Sequence, residues 1–206
     1  MPGDYLDQEL VFHPDRIEVK ASGELVMMAW ELPLMTRMAE IAAMRRGRVL
    51  EVGFGMGLSA QAVQRLRPQS HTIIEAHPQV LERARAWAAG RAGVSLVAGR
   101  WQEVLDSLGP FDGISFDVFG GDGQRREFFT RLHRLLAPAG VATLWLGDER
   151  VLPPELAALL AAQGFCHHLT RVTAIPDPRC TYSRTNEFYI PIVYRPNAGA
   201  SLPEST

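Results

Sequence analysis

Short apolar runs alternate with amphipathic stretches along most of this chain. Seven runs of apolar, often β-branched residues predict strands, at 49–52, 71–74, 94–98, 113–118, 141–146, 166–174 and 188–194. Five stretches with apolar residues at three- and four-residue spacing predict helices, at 60–66, 78–89, 101–108, 124–136 and 153–163. Strands that alternate with helices of about ten residues predict an α/β, Rossmann-like doubly wound fold with a mostly parallel seven-stranded sheet. No helix is predicted between the last two strands, so we expect an antiparallel C-terminal hairpin.

Two further patterns precede the first of these strands. Residues 24–43 carry apolar side chains at helical spacing, and Pro33 interrupts the pattern, so we predict a kinked helix or two helices. Residues 1–22 are polar and lack a helical period, but they carry apolar side chains such as Tyr5. We expect an N-terminal helical lid, in which residues 1–22 either fold over a site or pack on the surface.

Length and composition fit a single domain with a sizeable core. The chain has 206 residues, 47% of them hydrophobic, and we expect one domain over 1–195 and a disordered tail at 196–206. Cys166 and Cys180 lack C-x-x-C spacing, so neither a metal site nor a disulfide framework is indicated. Without a signal segment or an apolar run of about 18 residues, we expect a cytoplasmic protein that does not enter a membrane. The formal net charge of −2 gives no electrostatic basis for binding nucleic acid.

The stretch 48–58, R-V-L-E-V-G-F-G-M-G-L, runs from a predicted strand directly into glycines and then into a helical pattern. Gly53, Gly55 and Gly57 permit positive φ angles and let a ligand approach the backbone closely. The dinucleotide fingerprint would need a glycine at position 58, where this chain has Leu58. We therefore predict a ligand with one adenosine and no pyrophosphate, such as S-adenosylmethionine. The alternative is an ordinary glycine-rich turn between a strand and a helix.

Three residues at the ends of later strands extend this site, because ligands of open α/β sheets bind at the carboxyl ends of the strands. Glu75 follows the glycines at roughly the 20-residue spacing of an acid that binds ribose hydroxyls. Trp101 is placed to stack on adenine, with a position in the core as the alternative. Asp117 ends an apolar run and is suited to hold a cationic substrate, although an isolated aspartate there is most often a cap or a surface group.

Five sequence blocks resemble the guanidinoacetate N-methyltransferase family. V-L-E-V-G-F-G-M at 49–56 is similar to its signature, with Phe and Met inside the glycine loop. The other blocks are V-M-x-x-W-E-x-P-x-M at 26–35, I-I-E at 73–75, F-D-G-I-x-F-D at 111–117, and C-x-Y at 180–182 with P-I-V at 191–193. Methyltransferases in general share only the glycine loop and the acid after the second strand, so the five-block resemblance is specific.

The resemblance implies an S-adenosylmethionine-dependent enzyme that methylates a guanidino group, with the cofactor and the substrate bound side by side. The residues that it places at the cofactor are Tyr5, Met27, Gly53, Phe54, Gly55, Met56, Gly57, Leu58, Ser59, Glu75, Ala76, Arg100, Trp101 and Asp117. The residues that it places at the substrate are Glu31, Met35, Asp117, Phe119, Gly147 and Asp148. Tyr5 would lie on the lid.

Glu31 and Asp117 are the two expected catalytic residues. A guanidinium is planar and presents paired N–H donors, so carboxylates are its natural partners. Its nitrogen becomes nucleophilic only on losing a proton, so we assign Asp117 as the base and Glu31 as the group that clamps the second nitrogen. The alternative for Glu31 is a solvated helix face.

Two segments depart from the family pattern. Gly147-Asp148-Glu149 stand where the family has a Leu-Thr-Ser-like segment, and two acids there would repel the carboxylate of guanidinoacetate. Either these side chains point to solvent or the substrate has a different, for example cationic, far end. The segment from Phe119 to Gly123 is also richer in glycine than the Tyr-Pro segment of the family.

The expected partner is therefore a small guanidino compound, either guanidinoacetate or an arginine-derived metabolite, including a natural-product intermediate. The first alternative is a protein-arginine N-methyltransferase, and the second is a non-catalytic partner subunit with the same fold. A homodimer is compatible with the sequence.

Overall fold

The computed structural model describes residues 4–120 and 122–196, which form two sheets and seven α-helices. The strands are β1 (Leu10–Phe12), β2 (Arg16–Val19), β3 (Leu25–Met28), β4 (Arg48–Val52), β5 (Ser70–Glu75), β6 (Val94–Ala98), β7 (Phe111–Phe116), β8 (Leu136–Leu144), β9 (Cys166–Thr173) and β10 (Glu187–Tyr194). The helices are α1 (Leu32–Ala43), α2 (Leu58–Arg65), α3 (Pro78–Ala88), α4 (Trp101–Val104), α5 (Asp122–Thr130), α6 (Leu132–Leu135) and α7 (Pro154–Ala162). The predicted tail at 196–206 lies outside the described residues except for Pro196.

The main sheet has seven strands in the order β6-β5-β4-β7-β8-β10-β9. The first five are parallel to their neighbours, whereas β10 is antiparallel to both β8 and β9. The predicted mostly parallel, doubly wound sheet with a C-terminal hairpin is confirmed. The chain goes from β4 to β5 and β6 on one side and then returns to β7 on the other. The crevice between the carboxyl ends of β4 and β7 is therefore the topological switch point, where ligands of such sheets bind.

Helices cover both faces of the central strands, so the apolar runs that predicted them are buried. In β4, the four residues from Val49 to Val52 are all buried, as expected for a strand covered on both sides. Pro78 and Pro154 stand in the first turns of α3 and α7, where a missing N–H costs no hydrogen bond. The predicted helix 124–136 is divided into α5 and α6, and β8 begins earlier than the predicted strand at 141.

The N-terminal region differs from the predicted helical lid. Its β1, β2 and β3 form a separate antiparallel sheet, and residues 29–31 form a short 3-10 turn before α1. Pro33 lies in the first turn of α1, and since a proline is tolerated there but disrupts a helix interior, the helix begins only one residue before it, at Leu32. The apolar spacing at 25–28 that resembles a helix belongs to β3, whose buried side chains pack on the cavity and the core.

Two side chains at the start of α3 hold the N-terminal segment against the main sheet. The Gln79 amide accepts from the Leu10 N–H at 2.7 Å and donates to the Leu10 carbonyl at 3.3 Å. The His77 Nε2 lies 3.0 Å from the Gln8 carbonyl oxygen, and its Nδ1 accepts from the Gln79 N–H. These contacts place Tyr5 over the switch point. Among the described residues, no helix is both long enough and apolar enough to cross a membrane.

We predict that Gly113→Ala destabilises the protein, because a Cβ at this position of β7 would lie 1.6 Å from the Ala42 carbonyl oxygen of α1. Forcing α1 away from the sheet should cost about 1–3 kcal/mol or more in the free energy of unfolding. Gly123→Ala is the matched control, because nothing lies within 4 Å of its added Cβ and its position in α5 favours alanine. Urea denaturation measures both, and equal midpoints for the two variants would contradict the close contact between α1 and β7.

Candidate active site

A cavity of about 550 Å³ opens at the carboxyl ends of β4, β5, β6 and β7, beneath the N-terminal segment. Residues that directly follow these four strands line it: Gly53, Ala76, Gly99 and Asp117. The volume falls within the range of roughly 300–1,000 Å³ that is typical of small-molecule and cofactor sites. The cavity therefore occupies the position that the strand order assigns to a ligand.

The glycine loop after β4 forms the floor of the cavity. Gly53 has φ +92°, and a Cβ there would lie 1.9 Å from the carbonyl oxygen of Asp117, so only glycine allows the loop to pass the end of β7. Gly57 has φ +73° and precedes the first turn of α2. The loop thus brings the amino end of α2 next to Asp117.

Ser59, in the first turn of α2, supplies an unpaired polar atom at the cavity. Ser59 is 6% exposed and lines the cavity. Its Oγ is buried and has no hydrogen-bond partner among the described residues. Buried hydroxyls are normally paired, because an unpaired one loses its bonds to water without replacement. A polar ligand bound at the start of α2 would satisfy it, which fits the charged methionine part of S-adenosylmethionine at a helix amino end.

Glu75, the last residue of β5, is held in place by the backbone. Its Oε2 accepts from the Phe54 N–H at 2.9 Å, and its Oε1 accepts from the His77 N–H at 2.7 Å. The side chain lines the cavity, and burial raises the pKa of this carboxyl while the backbone donors oppose the rise. Each oxygen retains capacity for another hydrogen bond, so the group is suited to accept from the two hydroxyls of a ribose.

The aromatic residues near the adenine position lie partly in the core. Trp101 is 4% exposed, its Nε1 donates to Gln124 Oε1 at 3.0 Å, and its ring packs edge-on against Phe116 and Phe128. Trp101 therefore belongs to the core and also borders the cavity, and its stacking on adenine stays a prediction. The Tyr5 ring packs on Phe119 at 4.5 Å between centroids and closes the cavity from above.

Glu31 and Asp117 line the same cavity. Glu31 is 4% exposed and accepts at Oε1 from the Met28 N–H at 2.7 Å and from the Tyr182 hydroxyl at 2.6 Å. It is therefore not on a solvated helix face. Asp117 is half-buried directly after β7. The structure thus brings together the two carboxylates that the resemblance paired.

The pKa values of both carboxyls are raised. Burial raises the pKa of Glu31 to about 7, with a further contribution from the charge of Asp117, while the Tyr182 and Met28 hydrogen bonds oppose the rise. Burial raises the pKa of Asp117 to about 6, the charge of Glu51 adds to it, and Arg125 opposes it. The charge of Asp117 thus disfavours the ionised form of Glu31, as the charge of Glu51 does for Asp117, and a bound cation would favour the ionised forms.

Most of the predicted site residues line the cavity. The exceptions among the predicted cofactor residues are Met56, Gly57 and Leu58, which belong to the loop and α2 but not to the lining. Of the predicted substrate residues, Gly147 and Asp148 do not line it. The Asp148 carboxylate instead accepts from Ser183 Oγ at 2.6 Å and from the Arg184 N–H at 2.9 Å. Asp148 is therefore bound to a neighbouring loop, and residues 147–149 are not part of the cavity lining.

Several residues that line the cavity were not predicted from the sequence, among them Glu51, Arg125, Trp145 and Tyr182. Glu51 is 2% exposed, and its Oε2 lies 2.8 Å from His71 Nε2, also fully buried. A charged residue inside an otherwise apolar buried strand was a signal that could have identified Glu51. Tyr182 was marked only as part of the C-x-Y block, without a role.

With this geometry established, the chain can be compared with known proteins. Residues 5–145, about two thirds of the chain, match the family model described as guanidinoacetate N-methyltransferase. The chain belongs to this family. The resemblance seen in the five sequence blocks is therefore confirmed, and the cofactor that this family implies is S-adenosylmethionine. Glu75 and Ser59, already placed at the cavity, provide a suitable set of groups for that cofactor.

Proteins named as arginine methyltransferases are also similar to this chain. A protein named protein arginine N-methyltransferase 2 from Yarrowia lipolytica is 34% identical over 163 residues, which cover 71% of this chain and 34% of the relative. Its namesake from Aspergillus oryzae is 41% identical over 133 residues, covering 61% of this chain and 32% of the relative. The chain thus spans about a third of the length of these curated relatives.

Solved structures share the fold. A precorrin-6y C5,15-methyltransferase from Geobacter metallireducens superimposes with a TM-score of 0.61 at 18% identity, covering 87% of this chain and 93% of that chain. An O-methyltransferase family protein from Burkholderia thailandensis gives a TM-score of 0.57 at 14% identity, covering 81% and 56% respectively. At these identities the similarity concerns the fold alone, and it agrees with the guanidinoacetate N-methyltransferase family assignment.

We predict that Ser59→Ala weakens cofactor binding without destabilising the ligand-free protein. The hydroxyl has no partner among the described residues, so its loss costs the fold nothing, but the cofactor should lose one hydrogen bond. The expected rise in the Kd for S-adenosylmethionine is roughly 3- to 10-fold. Calorimetry and thermal melts check this against Ser95→Ala, a change at an exposed position of β6. An unchanged Kd would place the Ser59 hydroxyl away from the cofactor.

Proposed function

We propose that this methyltransferase transfers the methyl group to a guanidino nitrogen of a small molecule. The observation that carries the proposal is the pair of carboxylates, Glu31 and Asp117, lining one cavity next to the cofactor loop. Guanidinoacetate or another arginine-derived compound would bind there through its guanidino group.

The charges of the cavity support a cationic substrate. Burial raises the pKa of both Glu31 and Asp117, and Arg125 offsets the rise at Asp117 only in part. A guanidinium presents parallel N–H donors that suit carboxylates and remains charged at any physiological pH. Binding it would lower the pKa of both acids and bring two charge-assisted hydrogen bonds to the substrate.

The same two residues supply the proton chemistry. S-adenosylmethionine, when bound, supplies an electrophilic methyl group on a positively charged sulfur. Asp117 would accept the proton that the guanidino nitrogen loses as its electron pair forms the new bond to carbon. Glu31 would hold the second nitrogen and fix the plane of the group, which aligns the reacting nitrogen. The pKa of Asp117, at about 6, leaves it ionised at neutral pH yet able to take a proton.

The N-terminal segment would exclude water during this step. Tyr5 covers the cavity, and Gln79 and His77 hold the segment that carries it. A site without bulk water strengthens both carboxylate–guanidinium contacts. This cover favours a small substrate over a long polypeptide.

A protein substrate is the second candidate, and the names of the similar proteins favour it. The relatives from Yarrowia lipolytica and Aspergillus oryzae are named protein arginine N-methyltransferase 2, and an arginine side chain ends in the same guanidino group. The carboxylate pair would serve either substrate. A non-catalytic role is disfavoured, because two carboxyls with raised pKa values are costly to retain in one cavity unless a ligand uses them.

We predict methyl transfer to guanidino compounds and its loss in Asp117→Asn. The screen should use guanidino compounds with neutral, acidic and basic tails, an arginine-containing peptide, and ureido analogues, which lack the charge. Asp117→Asn should lower kcat by roughly 100-fold or more while cofactor affinity is retained. Asp106→Asn, at an exposed carboxylate bonded to Arg134, is the control and should behave as the natural protein does. Equal turnover of ureido analogues would rule out recognition by the carboxylate pair, and turnover of the peptide alone would favour the second candidate.

The pH dependence of kcat/KM should show an acidic limb between about pH 6 and 7. Activity needs Asp117 and Glu31 ionised, and burial raises the pKa of these groups to about 6 and about 7, so the rate should fall as pH decreases through this range. Because the two acids interact, the apparent values belong to the pair. Initial rates at constant ionic strength over pH 5 to 9 measure this, and a flat profile down to pH 5 would contradict it.

A further inference from the structure

Tyr182 joins the catalytic carboxylate Glu31 to a loop that lies far away in sequence. The loop at 174–186 connects β9 to β10 and contributes the tyrosine to the cavity wall. Its hydroxyl donates to Glu31 Oε1 at 2.6 Å, and the Met28 N–H donates to the same oxygen at 2.7 Å. Within the described part of the chain, both hydrogen bonds to this carboxylate end on Oε1. The other oxygen, Oε2, therefore remains for a ligand.

The loop around Tyr182 is anchored on both sides of the tyrosine. Ser183 Oγ and the Arg184 N–H both donate to the Asp148 carboxylate, and the Arg184 guanidinium donates to the Cys180 carbonyl at 2.9 Å. The Tyr182 ring also packs on Trp30, with ring centroids 6.1 Å apart. The hydroxyl is thus presented to Glu31 from a fixed position.

We propose that Tyr182 is a positioning residue, whose hydroxyl fixes Oε1 of Glu31 so that Oε2 faces one N–H group of the guanidino substrate. This inference rests on the proposed guanidino methylation and adds a residue to it. Asp148 acquires a role at the same time: it anchors the loop that carries Tyr182 and does not bind the substrate's far end.

The physical reason is the freedom of a carboxylate about its last side-chain bond. This torsion is broad and two-fold, so a glutamate bound at one point only can rotate its plane. Two donors on one oxygen, from Met28 and Tyr182, restrict that rotation. A rotated carboxylate would still attract the guanidinium, but it would hold the reacting nitrogen out of line with the methyl group, which lowers the rate.

Several charged and titratable groups face Glu31. Asp117, across the cavity, raises the pKa of Glu31, whereas the Tyr182 hydroxyl and the Met28 N–H lower it. Burial raises the pKa of Tyr182, and the charge of Glu31 raises it further, so the phenol remains a donor at all relevant pH values. Removal of the hydroxyl should therefore raise the pKa of Glu31 and move the acidic limb of kcat/KM to higher pH.

The test compares Tyr182→Phe, Glu31→Gln and the double variant. Tyr182→Phe keeps the ring on Trp30 and removes only the hydroxyl, so the protein should fold with an unchanged melting temperature in its ligand-free state. We expect kcat/KM for the guanidino substrate to fall roughly 10- to 100-fold, because the lost bond is to a charged group. The Kd for the cofactor should change less than about two-fold. The acidic limb of kcat/KM should move to higher pH. Tyr189→Phe, on β10 and outside the cavity lining, is the control.

The double variant separates positioning from a general structural effect. If Tyr182 acts through Glu31, its removal should cost nothing further in the Glu31→Gln background. The same loss in both backgrounds, or an acidic limb that does not move, would overturn the proposal.

A measurement that needs no turnover keeps the inference distinct from the proposed function. An NMR titration of the Glu31 carboxyl carbon should report a higher pKa in Tyr182→Phe than in the natural protein. If no guanidino compound is methylated, the proposed function fails while this titration still tests the contact. If methylation occurs but the titration curves coincide, the positioning role of Tyr182 fails alone.

Discussion

The structure depends on one close approach between two backbone segments at the switch point of the sheet. The glycine loop passes so near the end of β7 that a Cβ at Gly53 would lie 1.9 Å from the Asp117 carbonyl oxygen. Because β4 and β7 are paired in register up to Val52 and Phe116, the loop that floors the cavity and the carboxylate beside it are fixed relative to each other. The position of the Asp117 backbone relative to the glycine loop is therefore set by the core of the sheet.

A second constraint is the burial of several acids around the cavity. Glu31 and Glu75 accept hydrogen bonds from backbone N–H or hydroxyl groups, and Glu51 lies beside His71. Hydrogen bonds of this kind orient a carboxylate but do not neutralise it, so the pKa of Glu31 remains raised. Arg125, which also lines the cavity, opposes the rise at Asp117. A cation bound beside Glu31 would favour the ionised form of this carboxylate.

Much of the sheet and the central part of the site could be predicted from the sequence, because both depend on local pattern. Alternating apolar runs and amphipathic stretches gave the parallel strands and the C-terminal hairpin, and the glycines after β4 indicated the ligand. The N-terminal sheet could not be predicted, because the 25–28 segment has a spacing that fits a helix and becomes a strand only by pairing with β2. The surroundings of Asp148 and Tyr182 also depend on a contact between distant loops, which no local pattern encodes.

The pairing of Gln79 with Leu10 has a consequence for the outer edge of the N-terminal sheet. An edge strand exposes unpaired N–H and carbonyl groups, which can recruit a strand from another molecule. The Gln79 side-chain amide, at the start of α3, forms hydrogen bonds with both the N–H and the carbonyl of Leu10. It thereby replaces the backbone of a neighbouring strand. The segment above the cavity thus has a protected edge, which is less open to pairing with a strand of another molecule.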